Sequence, residues 1–329
     1  MWKSELNTLF QKLKSNRRDD NRYEVESFSQ QLPHKLGCTK DGRPIFFVEC
    51  CDSTKQVDIK LSLFTVMYNR SCDIYDNATK ENFVKQYSVL QLNSDDEEFQ
   101  KYFLDVVNMV LLRLPQTPET TVLDTEIKKI ITLFTNAKRP SVSAIRGLFA
   151  ELMVIDMAKD PKYLLRSWHV TPQDPFDFND GVDKIEVKSC TKEQRKHTFS
   201  LEQLYPGENT RLVIASLAVL QTGFGMSVYD LMDRISYKVQ DDINLLIHLR
   251  ECVTATVGKY FDEVAEYQFD YGISEETFAT YDSNDIPRID KGTIPAGISN
   301  IRFTVDFADI KPIDLQTDTC NSKLFLSLV

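Results

Sequence analysis

The stretch DFNDGVDKIEVK, from Asp177 to Lys188, constrains this chain more than any other part of it. Asn179, Asp180 and Gly181 tolerate the left-handed backbone that tight turns need, and the KIEVK behind them alternates charged and apolar residues. A period of two places Ile185 and Val187 on one face of a strand and Glu186 with Lys188 on the other. The predicted hairpin brings Asp177, nine residues upstream, back beside Glu186. One face enters a core while the other displays two carboxylates and an amine.

Such a pair of carboxylates, with the intervening backbone carbonyl of Val187, supplies the hard oxygen ligands that Mg2+ or Mn2+ prefers. Asp177, Glu186 and Val187 are therefore the expected metal ligands, and Lys188 stands where it can orient an attacking water. Phosphodiester hydrolysis needs this set, because a metal polarises the phosphoryl oxygen and lowers the pKa of bound water. A second clue lies upstream in GLFAELMVIDMA (147–158), apolar on nearly every side except at Glu151 and Asp156. A helix of that composition is buried, and a carboxylate on it must meet a cation, hydrogen-bond donors or a metal. Glu151 is thus expected to point at the same site, with pairing to Arg146 or Arg166 as the alternative. Downstream, Lys192, Arg195, Lys196 and His197 form the densest basic cluster near the carboxylates, placed to grip a phosphate backbone. Ser200 caps the next turn, and Gln203 can reach the same cleft. For His197 a structural role is the competing reading.

Helical GLFAEL, Trp168, the DF pair at 177–178, EVK at 186–188 and HTFSLEQL at 197–204 together resemble the PD-(D/E)XK nuclease superfamily. The pattern is similar to a bacterial group of PD-(D/E)XK motif proteins that sit among restriction and phage-defence proteins. The likeness is carried by residues 147–204 and extends to the rest of the chain only in outline. It implies a restriction-endonuclease-like α/β core, a mixed central sheet flanked by helices. It also implies metal ligation by Asp177 and Glu186, a water-orienting role for Lys188, an auxiliary acidic role for Glu151, Mg2+ or Mn2+ as cofactor, and DNA as substrate. The literal proline-aspartate pair is missing, since Asp177 precedes Phe178 and it is Asp174 that neighbours Pro175. Asp174 and Asp180 remain alternative first ligands.

An acidic-X-Lys triplet is weak evidence alone, for the chain contains five, at 58–60, 126–128, 160–162, 186–188 and 309–311. The best competitor starts at Asp58, where VDIKLSL also alternates like a strand, but no glutamate-bearing apolar helix precedes it and no basic segment follows. Asp183 and Lys184 read as hairpin surface, and Cys190 as packing.

Trp2, Leu6, Leu9, Phe10 and Leu13 predict a helix over 2–14, followed by strands over 42–50, 56–68 and 83–92. Helices over DEEFQKYFLDVVNMVLLRL and DTEIKKIITLFTNAK complete an N-terminal α+β domain, residues 1–140, with no assigned role. A serine-capped helix from Ser143 runs to Pro161, then short strands at 168–170, 175–178 and 184–190, a turn at SLEQLY, a strand at RLVIASLAVL and a long helix from Val228 to Cys252. That order, αβββαβα, marks residues 141–255 as the nuclease core. Residues 256–329 read as a β-rich, acidic C-terminal extension, either a small unit or an extension of the central sheet.

Net charge is −10, and residues 251–329 hold 14 acidic against 6 basic side chains. That balance argues against the C-terminal segment as a DNA surface, since non-specific affinity comes from Lys and Arg on phosphates. A partner ATPase or helicase, a methyltransferase or a second copy of the chain is expected to help hold the substrate. P-loop, GxSxG and HExxH motifs are absent, and four scattered histidines argue against a zinc hydrolase. The seven cysteines form no CxxC pair and read as reduced thiols. The longest apolar runs are too short to cross a bilayer, so no membrane partner is expected. The charged N-terminus carries no export signal, which points to the cytoplasm.

Overall fold

Leu6, Phe10 and Leu13 recur at helical spacing, and in the computed structural model they are the buried stripe of α1 (Glu5–Ser15). The structure describes residues 5–15, 22–135, 139–168, 175–190, 194–207, 209–315 and 322–328. Contacts divide the chain into two units, Met1–Ala137 and Lys138–Val329.

In the first unit α1 is followed by β1 (Tyr23–Ser27), β2 (Lys35–Cys38), β3 (Pro44–Val48), β4 (Ile59–Lys60), β5 (Phe64–Asp76), β6 (Glu81–Leu92), α2 (Glu97–Arg113) and α3 (Thr120–Thr135). The strands order as β1-β2-β3-β6-β5-β4, and β1 also pairs in parallel with β5, so the sheet closes into a small barrel. Every residue of β3 is buried. Ile45 and Phe47 join Val25, Ile74, Tyr87 and Val89 in one core cluster, while Phe46 meets Phe103 of α2 edge-on at 5.9 Å. The strand expected over 56–68 is broken after Lys60, where Leu61 N–H bonds Phe64 O at 2.8 Å. In turn β5 runs on to Asp76 through polar residues that alternation does not flag. The strands β1 and β2 were outside the sequence expectation because each is short and carries no clear period.

His34 is fully buried, accepts from Glu49 N–H through Nδ1 at 3.2 Å, and leaves Nε2 without a partner. Burial holds its pKa down to about 4. The unfolded chain therefore takes up this proton first, and the stability it provides is lost as pH falls from about 6.5 toward 4. Between pH 7 and 5 the wild type should lose on the order of 1–2 kcal/mol more unfolding free energy than His34→Gln, measured by denaturant titration. Equal losses in both would contradict this assignment.

The second unit opens with α4 (Val142–Met157), capped by Ser141, whose side chain accepts from Ala144 N–H at 3.1 Å, so that the capping serine lies before the expected Ser143. Leu148, Phe149, Ala150, Leu152, Met153, Val154 and Ile155 are all buried, as the apolar run requires. Pro161 starts α5 (Pro161–Ser167) as its first residue, with Asp160 as the cap. Then follow β7 (Phe178–Asn179), β8 (Lys184–Cys190), β9 (Lys196–Ser200), a 3-10 turn (Glu202–Leu204), β10 (Leu212–Ala218) and β11 (Gln221–Thr222). The expected long helix is two, α6 (Val228–Lys238) and α7 (Ile243–Val257), because Asp242 starts a new helix by accepting from Asn244 and Leu245 N–H. The chain ends in α8 (Phe261–Ala265), β12 (Gln268–Phe269), α9 (Tyr271–Glu276), β13 (Ala279–Asp282), β14 (Arg302–Asp306) and α10 (Lys323–Leu326).

The central sheet orders as β13-β10-β8-β7, with β8 and β10 parallel and the outer pairs antiparallel. All seven residues of β10 are buried, and α4 packs on β8. This is a mixed α/β arrangement, a sheet with flanking helices. Its order departs from αβββαβα: α5 is added, and of the strands expected at 168–170 and 175–178 only a Trp168–Phe178 bridge and the two residues of β7 are found among the described residues. The C-terminal segment gives β13 to the central sheet and β14 to a ladder with β9.

Candidate active site

The β7–β8 hairpin pairs Phe178 with Ile185 and Asn179 with Lys184. Its turn is built as the sequence predicts. Asn179 Oδ1 accepts from Gly181 N–H at 3.0 Å, Asp180 Oδ1 accepts from Val182 and Asp183 N–H at 2.9 and 2.8 Å, and Gly181 takes the left-handed φ of 87°. Continuing that register by one residue sets Asp177 opposite Glu186. Asp177 Oδ2 accepts from Val187 N–H at 2.6 Å. The N–H and C=O of one strand residue leave by the same edge, so the Val187 carbonyl faces the edge where Asp177 sits.

Glu186 is 3% exposed. Its Oε1 accepts from Lys188 Nζ at 2.7 Å and, in a close contact, from Gln203 Nε2. Oε2 is buried with no hydrogen-bond partner. Gln203 comes from the 3-10 turn, and its Oε1 accepts from Lys188 Nζ at 3.2 Å and from Ser200 N–H at 3.0 Å. Lys188 also lies over the Phe199 ring at 5.1 Å. Across the site, Glu151 Oε2 accepts from Trp168 Nε1 at 2.8 Å, and Trp168 is held by His248 Nε2 at its carbonyl, 2.9 Å away.

Burial, and next the nearby charge of Asp177, push the Glu151 carboxyl well above the ordinary range. The same two causes raise Glu186, opposed by Lys188. Three acidic side chains thus crowd one enclosed place, with the Lys188 ammonium among them. Among the described residues no three His, Cys, Asp or Glu side chains are gathered into a ready metal cage. The orphaned Glu186 Oε2, Asp177 and the Val187 carbonyl nonetheless fit a hard, partly hydrated cation, because all three are oxygen donors and Glu186 Oε2 is buried with no hydrogen-bond partner.

The remaining candidates divide clearly. Arg195 is turned inward, donating to the Ser216 and Thr277 carbonyls over the Tyr281 ring. His197 is 2% exposed, bonds Ser216 Oγ at 2.8 Å and meets Phe307 edge-on, and burial lowers its pKa to about 3. Both therefore sit as structural groups in this fold. Lys196 stays on the surface, 3.5 Å from Asp306. Lys192 and Asp174 lie outside the described residues. Asp180 is committed to the turn and to Tyr163 Oη at 3.0 Å. Asp183 and Lys184 are not hairpin surface: Asp183 is 8% exposed and accepts from Arg211 N–H, and Lys184 donates to Pro206 O at 2.7 Å. Cys190 is buried packing. Arg166 pairs with Asp242 and not with Glu151. Asp58 of the competing triplet accepts from Tyr68 N–H and pairs with Arg70, within the first unit.

The model of the family DUF4420, described as "Putative PD-(D/E)XK family member", matches residues 6–308. The chain belongs to this family. No curated protein and no solved structure matches it. In this PD-(D/E)XK family member the sequence signal missed two groups in their actual roles. Trp168 holds Glu151, and Gln203 fixes Lys188 and Glu186. Trp168 was visible only as part of a motif, and no local period shows what an indole seventeen positions away will touch.

Asp177→Asn keeps an oxygen for the Val187 N–H and removes one of the crowded charges. The metal-free variant should gain on the order of 1 kcal/mol in stability and lose any upward melting shift on adding Mn2+. Thermal unfolding with and without Mn2+ measures both, and a metal-free variant less stable than wild type would contradict the crowding.

Proposed function

We propose that this protein is a Mg2+- or Mn2+-dependent endonuclease that hydrolyses DNA phosphodiester bonds, built on a restriction-endonuclease-like core. The observation that carries this reading is the convergence of Asp177, Glu186 and Lys188 across one hairpin, with Glu151 and Gln203 closing on it from α4 and the 3-10 turn. A bound metal would supply Lewis-acid polarisation of the phosphate and a more acidic water. Asp177, Glu186 and the Val187 carbonyl would hold it. Lys188 would leave the carboxylate it now neutralises and hold the attacking water, steered by the Gln203 amide. Glu151, kept protonated by burial or ionised beside a cation, is placed to hold or move a proton at Oε1. Acidic side chains outnumber basic ones by 49 to 39, which supports action with help in holding DNA, in the cytoplasm within a restriction or phage-defence assembly, beside an ATPase or helicase, a methyltransferase or a second copy.

Purified protein should nick or cut plasmid DNA with Mg2+, and Asp177→Ala and Lys188→Ala should each lower the rate by about 100-fold or more. Calorimetric titration of Mn2+ should give heat that Glu186→Ala abolishes. Unchanged heat in that variant would move the site elsewhere. The second reading is a nuclease-fold binding or assembly subunit that does not cleave, favoured by the absence of a preformed three-side-chain cage among the described residues. DNA binding without nicking, alone and with the products of its genomic neighbours, would establish that reading instead.

A further inference from the structure

The 3-10 turn that carries Gln203 ends at Tyr205, and the fold brings to it cations that the sequence disperses. Ile286, 3% exposed, is anchored in the same core cluster as Leu204 and Phe176, and it fastens the following loop against the turn. Two hydrogen bonds complete the attachment. Arg288 Nη1 donates to Leu204 O at 3.1 Å, and Tyr205 Oη donates to Ile289 O at 2.8 Å. The Arg288 guanidinium lies 4.9 Å and the Lys291 ammonium 4.4 Å from the centroid of the one Tyr205 ring. A third cation stands on β14, where Arg302 is paired in register with Ser200. Ser200 N–H bonds the Gln203 amide that touches Glu186 and Lys188.

We propose that Tyr205, Arg288, Lys291 and Arg302 form a subsite for the phosphodiester backbone of a nucleic-acid substrate, beside the candidate active site. The proposal rests on the nuclease reading and deepens it by naming where the strand is gripped.

Unmet charge is the main argument. Arg139, Arg166, Arg211 and Arg234 of this unit each pair with a carboxylate. Arg288, Lys291 and Arg302 are exposed and form no ion pair among the described residues. In a chain of net charge −10, carboxylates to pair with are abundant, so three unpaired cations around one turn mark a place fitted to an outside anion. Of the acids near them, Asp290 accepts from Gly292 N–H at 2.9 Å, and Glu202 is exposed on the turn. The two cations on Tyr205 repel each other and a bound anion relieves that repulsion, while the ring holds each in place at little entropic loss. Phosphates spaced along a strand meet that requirement. The acidic balance of residues 251–329 hides this, because charge summed along sequence says nothing about which three cations the fold places together.

The test is fluorescence anisotropy of a short labelled DNA duplex and of its single strand, with Ca2+ replacing Mg2+ to block cleavage, across a salt series. Each of Arg288→Gln, Lys291→Gln and Arg302→Gln should flatten the slope of log K against log salt by about 0.9 for duplex or about 0.7 for single strand. Mn2+ heat should be unchanged in all three, and melting temperature in the Lys291 and Arg302 variants, and Arg288→Lys should restore the slope. Lys259→Gln, an exposed lysine between α7 and α8, should leave it as in wild type. Lys291 and Arg302 make no contact the fold needs, so their variants remain informative if Arg288→Gln unfolds. Wild-type binding with unchanged slopes in the Lys291 and Arg302 variants overturns this proposal and leaves the nuclease reading standing. A wild type that binds no DNA overturns both.

Discussion

Asp177 and Glu186 face each other across a two-stranded turn, and most of what surrounds them can be understood as compensation for that opposition. Like charges brought together out of water raise each other's free energy, and a third carboxyl, Glu151, is drawn into the same enclosure. The Val187 N–H, the Lys188 ammonium, the Gln203 amide and the Trp168 indole each answer one of these oxygens. Glu186 Oε2 is buried and left unanswered. A fold selected for stability alone would have filled that place with apolar side chains, and such local conflicts concentrate at functional sites.

The rest of the second unit keeps the opposition from relaxing. Strand β8 is fixed on one side by the parallel ladder to the wholly buried β10 and on the other by β7, so it cannot slip without turning its apolar face outward. Helix α4 packs on β8 and buries most of its residues from Ile145 to Asp156, which sets Glu151 at one height above the sheet. Trp168 links α5 to that carboxylate while its own carbonyl is taken by α7. The Gln203 turn is locked by Leu204 in the core and by the loop that follows β13. Elements far apart in sequence therefore share the task of placing a few oxygens and one nitrogen.

What the sequence makes legible is what local periodicity controls. The hairpin at 177–188 is visible because turn chemistry and a period of two coincide there, and α4 because its apolar run admits so few charges. Family membership follows from the same residues. What escapes is set by tertiary contact. Nothing in HTFSLEQL separates an inward His197 and Arg195 from outward phosphate ligands, because the β9–β14 ladder that turns them in depends on residues a hundred positions later. Asp242 splits the helix expected over 228–252 by offering its carboxylate as a cap, a choice propensity leaves open. The barrel of the first unit closes through β1 and β5, a parallel pairing between segments with no distinctive pattern.

The central claim is that Asp177, Glu186 and the Val187 carbonyl together hold a divalent cation. A crystal soaked in Mn2+ and measured at the manganese absorption edge tests it most directly. The account predicts an anomalous peak between the two carboxylates and against the Val187 carbonyl, with Lys188 Nζ moved off Glu186. A strong peak elsewhere, or none at a concentration that saturates solution binding, would contradict it.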